Sequence, residues 1–434
     1  MHAHIIGAGL AGSEAAYQLA SRGVRVTLHE MRPKQQTPAH ETDLFAELVC
    51  SNSLRSNQLH NAVGVMKEEM RLLDSLIMHA ADASRIPAGG ALAVDRIRFA
   101  QTVSETLESH PNITVRREVV EELPDAPVIV ASGPLTEGPL AEAIQRHTND
   151  ERLYLYDAVA PIITKDSVDF DVCYRKNRYE SGEGDYINCP MDEAAYERFY
   201  EILVNAETVS HRDFEKNVFE GCMPIEAMAR RGKDTLRYGP LKPVGLEREG
   251  EKRPYAVVQL RKDDARDTLY NLVGFQTSLT YGEQRRLIRS IPGLEAAEIL
   301  RYGVMHKNTF LNAPKHLRAT YQSRHDSSVF FAGQITGVEG YVESAASGIV
   351  AALNLLAHLQ GESEVRFPLE TLIGAQADYL ESASPERFQP MNANFGLLPA
   401  LEKKLPKRRR KEAYAERALS TMKAFRSEID ARLG

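Results

Sequence analysis

Residues 2–30, "HAHIIGAGLAGSEAAYQLASRGVRVTLHE", change hydrophobic period twice. Residues 4–6 are a short apolar run and predict a strand. Residues 13–21 place Ala16, Leu19 and Ala20 on one face at helical spacing, and Gly23 marks the end of that helix. Residues 24–30 alternate and predict a second strand ending at Glu30. Two distant segments also combine an apolar run with glycines. "APVIVASGPLTEG", 126–138, predicts a strand ending in Ala-Ser-Gly. "SSVFFAGQITGVEGYVESAASGIVAALNLL", 327–356, predicts a strand, a glycine turn and a long helix of small residues beginning near Glu343. The middle mixes alternating runs ("YAVVQLRKD", "TLYNLVGF") with a helical period ("DEAAYERFYEILVNAE"). The pattern predicts an α/β fold. A Rossmann-like, two-dinucleotide-type domain is discontinuous over 1–160 and 326–434, around an α+β insertion over 161–325.

The length, 434 residues, calls for more than one core, and 43% hydrophobic with 26% charged residues fits a globular chain. Net charge is −7, so any nucleic-acid contact has to come from a local basic patch. Cys50, Cys173, Cys189 and Cys222 form no CxxC pair, which argues against zinc, and no metal site is expected. The apolar N-terminus lacks a basic leader and is interrupted by Glu14. No run of about 18 uninterrupted apolar residues occurs. The expectation is a cytoplasmic chain with reduced cysteines.

The opening unit carries specific chemistry. Gly7 permits a sharp turn, Gly9 lets backbone N–H groups approach a pyrophosphate, and Gly12 lets helix pack on strand. With Ala8, Leu10 and Ala11 they form the dinucleotide turn, and the helix N-terminus favours phosphate. Glu30, 18 residues past Gly12, is placed to accept ribose hydroxyls. The two later segments resemble flavoprotein motifs and favour FAD over NAD. They add Ser132, Gly133, Gly333, Gln334, Gly337 and Gly340 as cofactor contacts and put Tyr341 near the flavin ring. No second GxGxxG is followed by an acidic strand end, so NADH or NADPH would have no Rossmann domain of its own.

Cys50 lies in "LFAELVCSNSLRSN", 44–57, with Arg55 five residues on. Cys222 lies in "FEGCMPIEAMARRG", just before a helix-like run containing Glu226. A free thiol is mostly protonated at neutral pH, so a nucleophilic cysteine needs a nearby cation or a helix dipole. Both cysteines admit a packed, inert reading. In "YGVMHKNTFLNAP", 302–314, His306 and Asn308 are polar groups in an apolar block. His306 is either a ligand contact or a satisfied core histidine. Seven of the nine residues 403–411 are Lys or Arg, including Lys407, Arg408, Arg409 and Arg410. "RRGKDTLR", 230–237, and "RKNRY", 175–179, are smaller basic clusters.

The blocks "GAGLAGSEAAYQLA", "EMRP", "TPAH", "FAELVCSNSLRS", "EGCMPIE", "KPVGL", "RYGVMHKNTF" and "TGVEGYVESAASG" resemble the TrmFO family of folate- and FAD-dependent tRNA uracil-5-methyltransferases through nearly the whole chain. The resemblance implies ribothymidine formation in the T-loop of tRNA. Methylenetetrahydrofolate would be the carbon donor, and reduced nicotinamide would supply electrons through FAD. It implies Cys222 as nucleophile toward uracil C6 and Cys50 as a flavin-side partner or general acid/base, with the reverse division open. Glu226 would orient a neighbour or accept a proton. Arg55, His306 and Asn308 would meet substrate, and the basic run would hold tRNA. Cys173 and Cys189 match no motif and are expected to be structural. Two alternatives remain: a GidA-like wobble-uridine enzyme that also uses FAD and folate, and a tRNA-binding flavoprotein without turnover. A generic flavin oxidoreductase would act without tRNA.

Overall fold

A computed structural model describes the chain except residues 126, 151, 152, 159, 181, 210–222, 249, 304, 403, 404 and 434. For 153–158, 305–307, 407 and 408 it describes the backbone alone. Two sheets dominate. The first is a five-stranded parallel sheet in the spatial order Val329–Phe331, Val128–Val130, His2–Ile6, Arg25–Glu30, Ile113–Arg117. It draws on both ends of the chain, because the strand that follows residue 326 pairs in parallel with Val128–Val130. The second is a six-stranded sheet built entirely from residues between Ile162 and Arg301. The strands fall where the alternation predicts, with Ala256–Lys262 paired antiparallel to both Ile187–Met191 and Leu269–Leu272. Asp192 caps the helix Glu193–Asn205 by accepting the Ala195 N–H at 2.7 Å.

Each sheet has its own apolar core. This is the discontinuous dinucleotide-binding domain with an α+β insertion that the periodicity predicts. The chain crosses between them along an antiparallel pair, Leu153–Ala158 against Met305–Phe310.

In the first core the helices Leu10–Ala20 and Tyr341–Gln360 pack against each other through small residues. A Cβ on Gly348 would lie 2.3 Å from the Ala11 carbonyl oxygen, so only glycine permits this approach. Tyr341–Gln360 is long and apolar enough to cross a membrane by length and composition, yet 89% of its most apolar window is buried inside the protein. Its apolarity is that of a core helix. Glu14, the charge that breaks the N-terminal apolar run, is buried. Its carboxylate accepts the Ile77 N–H at 2.9 Å and the Ser75 hydroxyl at 2.6 Å, closing the N-terminus of the helix Leu76–Ala83.

Candidate active site

The glycine turn is built as its spacing requires. Gly7 has φ +96°, and a Cβ on Gly12 would sit 1.9 Å from the Gly7 carbonyl oxygen. Strand, turn and helix are therefore locked together by two residues that tolerate no side chain. Gly9 and Gly133 differ: a Cβ on either would meet nothing within 4 Å. Their backbones border open space at the start of the Leu10–Ala20 helix, which is the cradle a pyrophosphate needs. Beside Gly133, the Thr136 hydroxyl donates to the Gly133 carbonyl at 2.7 Å and lies 2.8 Å from Ser132 Oγ. Gly333 donates its N–H to Ser347 Oγ at 2.7 Å, tying the second glycine turn to the long helix. Gln334 donates to Glu339 at 2.9 Å. Gly337 (φ +85°) lies under the Phe388 ring, where a Cβ would come within 2.6 Å.

Glu30 ends its strand as predicted but is more heavily engaged than the motif suggests. It accepts the N–H groups of Ala8 and Arg32, both at 3.0 Å, and Arg32 Nε at 2.9 Å and Nη2 at 3.3 Å. Burial works against its charge, but Arg32 outweighs it and holds the carboxyl below the usual range. Arg32, buried and also bonded to Glu47 at 3.2 Å, is a site residue that motif spacing misses.

The segment after residue 49 joins the cofactor cradle to the insertion domain. The Tyr341 hydroxyl accepts the N–H of Cys50 at 2.6 Å and of Ser51 at 3.1 Å. Burial, then the nearby Cys50, pushes the Tyr341 pKa up, so the phenol stays neutral. From the insertion domain, Arg261 donates to Ser51 Oγ at 2.7 Å and Asn52 Oδ1 at 3.1 Å. Asn52 donates to the Lys262 carbonyl at 2.9 Å. Arg96 bonds the Leu48 carbonyl at 2.7 Å and Asp263 at 3.1 Å. Charge on the half-buried Cys50 acts on both guanidinium groups. Burial opposes the Arg96 charge, but Asp263, Tyr341 and Cys50 together raise its pKa. At Arg261 burial prevails and lowers it, against Tyr186, Asp263 and Cys50.

Arg96 and Arg261 are thus two cations that feel the charge of Cys50, while the ion pair of Arg55 lies with the long helix. Arg55 adopts a left-handed backbone (φ +61°) and turns to Glu343, with which it forms a short ion pair. Glu343 is fully buried in the first turn of the long helix. It also accepts the Ala393 N–H at 2.8 Å. Its other oxygen has no hydrogen-bond partner among the described residues and faces Gly340, where a Cβ would sit 2.4 Å away. Lys67, also missed by motif reading, is buried and donates to the carbonyls of Leu54, Arg55 and Ser56 at 2.8, 3.3 and 2.6 Å.

Glu226 is buried in the insertion domain. It accepts Thr277 Oγ1 at 2.9 Å and the Ser278 N–H at 2.7 Å, besides the Ser278 hydroxyl. Its oxygens clamp residues 277–278, the orienting arrangement that is one of the two expectations for it. Cys222 lies outside the described residues, as does the side chain of His306. Pro224 then starts the six-residue helix Ile225–Arg230. Asn308 is buried in the strand that pairs with Leu153–Ala158. Cys173 and Cys189 are buried in the insertion core with sulfurs 3.2 Å apart. Arg409 and Arg410 are exposed in the first turn of the helix Lys407–Leu433, while the side chains of Lys407 and Arg408 are outside the described set.

Comparison with known proteins decides the family. The model for glucose inhibited division protein A matches residues 2–363. A protein of Anoxybacillus flavithermus is 61% identical over 433 residues, covering 99% of this chain and 100% of its own. It is named methylenetetrahydrofolate–tRNA-(uracil-5-)-methyltransferase TrmFO. The chain belongs to the TrmFO family. A Bacillus licheniformis relative of the same name is 60% identical over 423 residues, covering 97% of this chain and 98% of its own. Among solved structures, Aquifex aeolicus GidA superposes with a TM-score of 0.70 at 16% identity, covering 99% of this chain and 75% of that one. A second crystal form gives 0.68. That likeness shows a shared fold.

The cradle fits the FAD of a TrmFO-type site on the structure's own terms. Open backbone at Gly9 and Gly133 suits the pyrophosphate, and the buried, unpartnered oxygen of Glu343 suits a donor-bearing ligand.

Proposed function

We propose that the chain methylates C5 of the T-loop uridine of tRNA, with methylenetetrahydrofolate as carbon donor and NADH or NADPH as reductant. Family membership supports the reaction class. The observation that carries the site is the clamped Cys50 segment, held between Tyr341 of the cofactor cradle and Arg261 of the insertion domain.

FAD, when bound, supplies two-electron chemistry beside this segment. Residues 7–12 and 132–133 would hold its phosphates, and residues 333–343 would line its ring. The rest falls to the protein. Uracil C5 is a poor nucleophile until a thiolate adds to C6 and pushes electron density toward C5. Cys222 is assigned that addition. Cys50 is assigned as the flavin-side general acid/base, on a segment that Arg96 and Arg261 bond at Leu48, Ser51 and Asn52. Tyr341 fixes the Cys50 backbone and cannot compete as an acid, because its pKa is raised. Asn308 and His306 are assigned to the folate, and the basic run 403–411 to tRNA phosphates. The T-loop uridine has to leave its stack to reach this site. We place the enzyme in the cytosol, where tRNA and reduced thiols coexist.

The test supplies unmodified tRNA, reduced nicotinamide and methylene-labelled tetrahydrofolate to the purified holoenzyme and maps the label. Label at the T-loop uridine that depends on folate and vanishes in Cys222→Ala is the expected result. Label at the wobble position, or none despite bound FAD and tRNA, overturns the assignment.

A further inference from the structure

The two smaller basic clusters, 175–179 and 230–237, lie more than fifty residues apart in sequence. The fold joins them. After the helix Thr235–Tyr238 the chain returns beneath residues 178–179. Arg178 donates to the Lys242 carbonyl at 3.0 Å, to Gln259 at 3.2 Å and, more closely, to the Val244 carbonyl. Tyr179 donates its N–H to the Gly245 carbonyl at 3.0 Å. Its ring covers Gly245, where a Cβ would come within 2.5 Å. Arg237 lies 3.6 Å over the Tyr255 ring and anchors the second cluster to the same sheet.

Two features of this composite face call for a ligand. Tyr238 and Tyr179 are the most exposed large apolar side chains among the described residues, at 82% and 70%. Tyr179 is held out at φ +65°, a costly conformation for a bulky residue, by its bond to Gly245. The charge around them is unbalanced. The nearby carboxylates Glu183, Glu197, Asp234, Glu247 and Glu251 pair with Arg175, Lys233, Arg237, Arg253 and Arg248, and Glu180 and Asp185 accept from Asn177. Lys176, Arg178, Arg230 and Lys242 form no ion pair among the described residues. The Lys176 and Arg178 side chains bond neutral acceptors, and Glu247 is the carboxylate whose charge reaches Arg178. Hydrogen bonds also lead from this face toward the Cys50 segment. Gly89 donates to Asp185 at 2.6 Å, and Gly90 accepts the N–H of Asn57 at 2.8 Å, next to the strand Ser53–Ser56.

Exposed aromatic rings among unneutralised cations are what single-stranded nucleic acid requires: ring faces for bases and charges for phosphates. We propose that this face of the insertion domain is a second tRNA-contacting surface, distinct from the basic run 403–411. Tyr179 and Tyr238 stack on unpaired bases, and Lys176, Arg178, Arg230 and Lys242 hold the adjoining phosphates. The inference rests on the tRNA reading above and adds where and how the RNA is held.

The test uses full-length holoenzyme and an unmodified tRNA transcript, with affinity measured across a KCl series. Tyr179→Ala/Tyr238→Ala should weaken binding by about ten- to a hundredfold with the salt slope kept. Tyr179→Phe/Tyr238→Phe, which keeps the rings, should stay within about twofold. Arg230→Gln/Lys242→Gln should lower the slope of log K against log[salt] by about one to two. Bound FAD and thermal unfolding, followed in parallel, show that the variants are folded. Unchanged affinity and slope in both sets, with wild type binding tRNA, overturn this inference and leave the proposed function standing. A wild-type protein that does not bind tRNA overturns both.

Discussion

Tyr341→Phe removes one oxygen from the protein and tests how the Cys50 segment is held. That oxygen accepts two backbone N–H groups, from Cys50 at 2.6 Å and Ser51 at 3.1 Å. A buried donor deprived of its acceptor costs about 1–3 kcal/mol. Cys50 is half-buried, so water replaces part of the loss and the low end applies to each. The pair then contributes about 1–2 kcal/mol, a factor of about 5–30 in the population of the displaced segment. Native-state hydrogen exchange at these two amides reads that population directly. Protection at Cys50 and Ser51 should fall by this factor, while amides in the Arg25–Glu30 strand stay unchanged. Alkylation of Cys50 should accelerate in parallel. Because burial keeps the phenol neutral, the wild-type protection should show no step from Tyr341 across neutral pH. Equal protection at both amides in wild type and Tyr341→Phe would refute the reasoning and make the contact incidental.

Other tests follow from the same geometry. Gly12→Ala would bring a methyl carbon to within 1.9 Å of the Gly7 carbonyl, so the variant should purify without flavin absorbance; a fully yellow protein would contradict the cradle. Burial, then the charges of Arg55 and Arg71, brings the Lys67 pKa down to about 7, below its unfolded value. The unfolded chain therefore binds the extra proton between about 7 and about 10.4, and stability should rise with pH across that window and be lost as pH falls toward 7. Urea midpoints at pH 7 and pH 9 should differ in wild type and less so in Lys67→Met; equal differences in the two proteins would exclude Lys67 as the source. Arg409→Ala/Arg410→Ala should lower the tRNA salt slope by about one to two, and an unaltered slope would assign the phosphates elsewhere.

What was legible in the sequence is what local geometry encodes. The turn through Gly7, Gly9 and Gly12 declares itself because its constraints act within thirty residues: a positive φ, a helix against its own strand, an acidic strand end. The long-range partners left no such trace. Arg55 lies beside Cys50 in sequence, but its ion pair is with Glu343, 288 residues away. Two arginines that feel the charge of Cys50 come from helix and strand positions 96 and 261, where an arginine looks like any surface charge. Lys67 and Glu226 had a weak signal, each being a charge in a stretch that also holds apolar residues, Val65 and Met66 in one case and Ile225 and Met228 in the other. Such a charge is buried only where it has several partners, so its position predicts a clamp without saying what it clamps.

The stapling of residues 50–52 from both sides makes the thiol segment a product of assembly. Tyr341 belongs to one folding unit and Arg261 to the other, and each supplies bonds the other cannot. The cofactor domain, expressed with its insertion excised at the paired strands Leu153–Ala158 and Met305–Phe310, would retain the glycine cradle and lose half of what shapes Cys50. The glycine turns draw their bonds from one folding unit, whereas the shape of residues 50–52 exists only when both units are seated together.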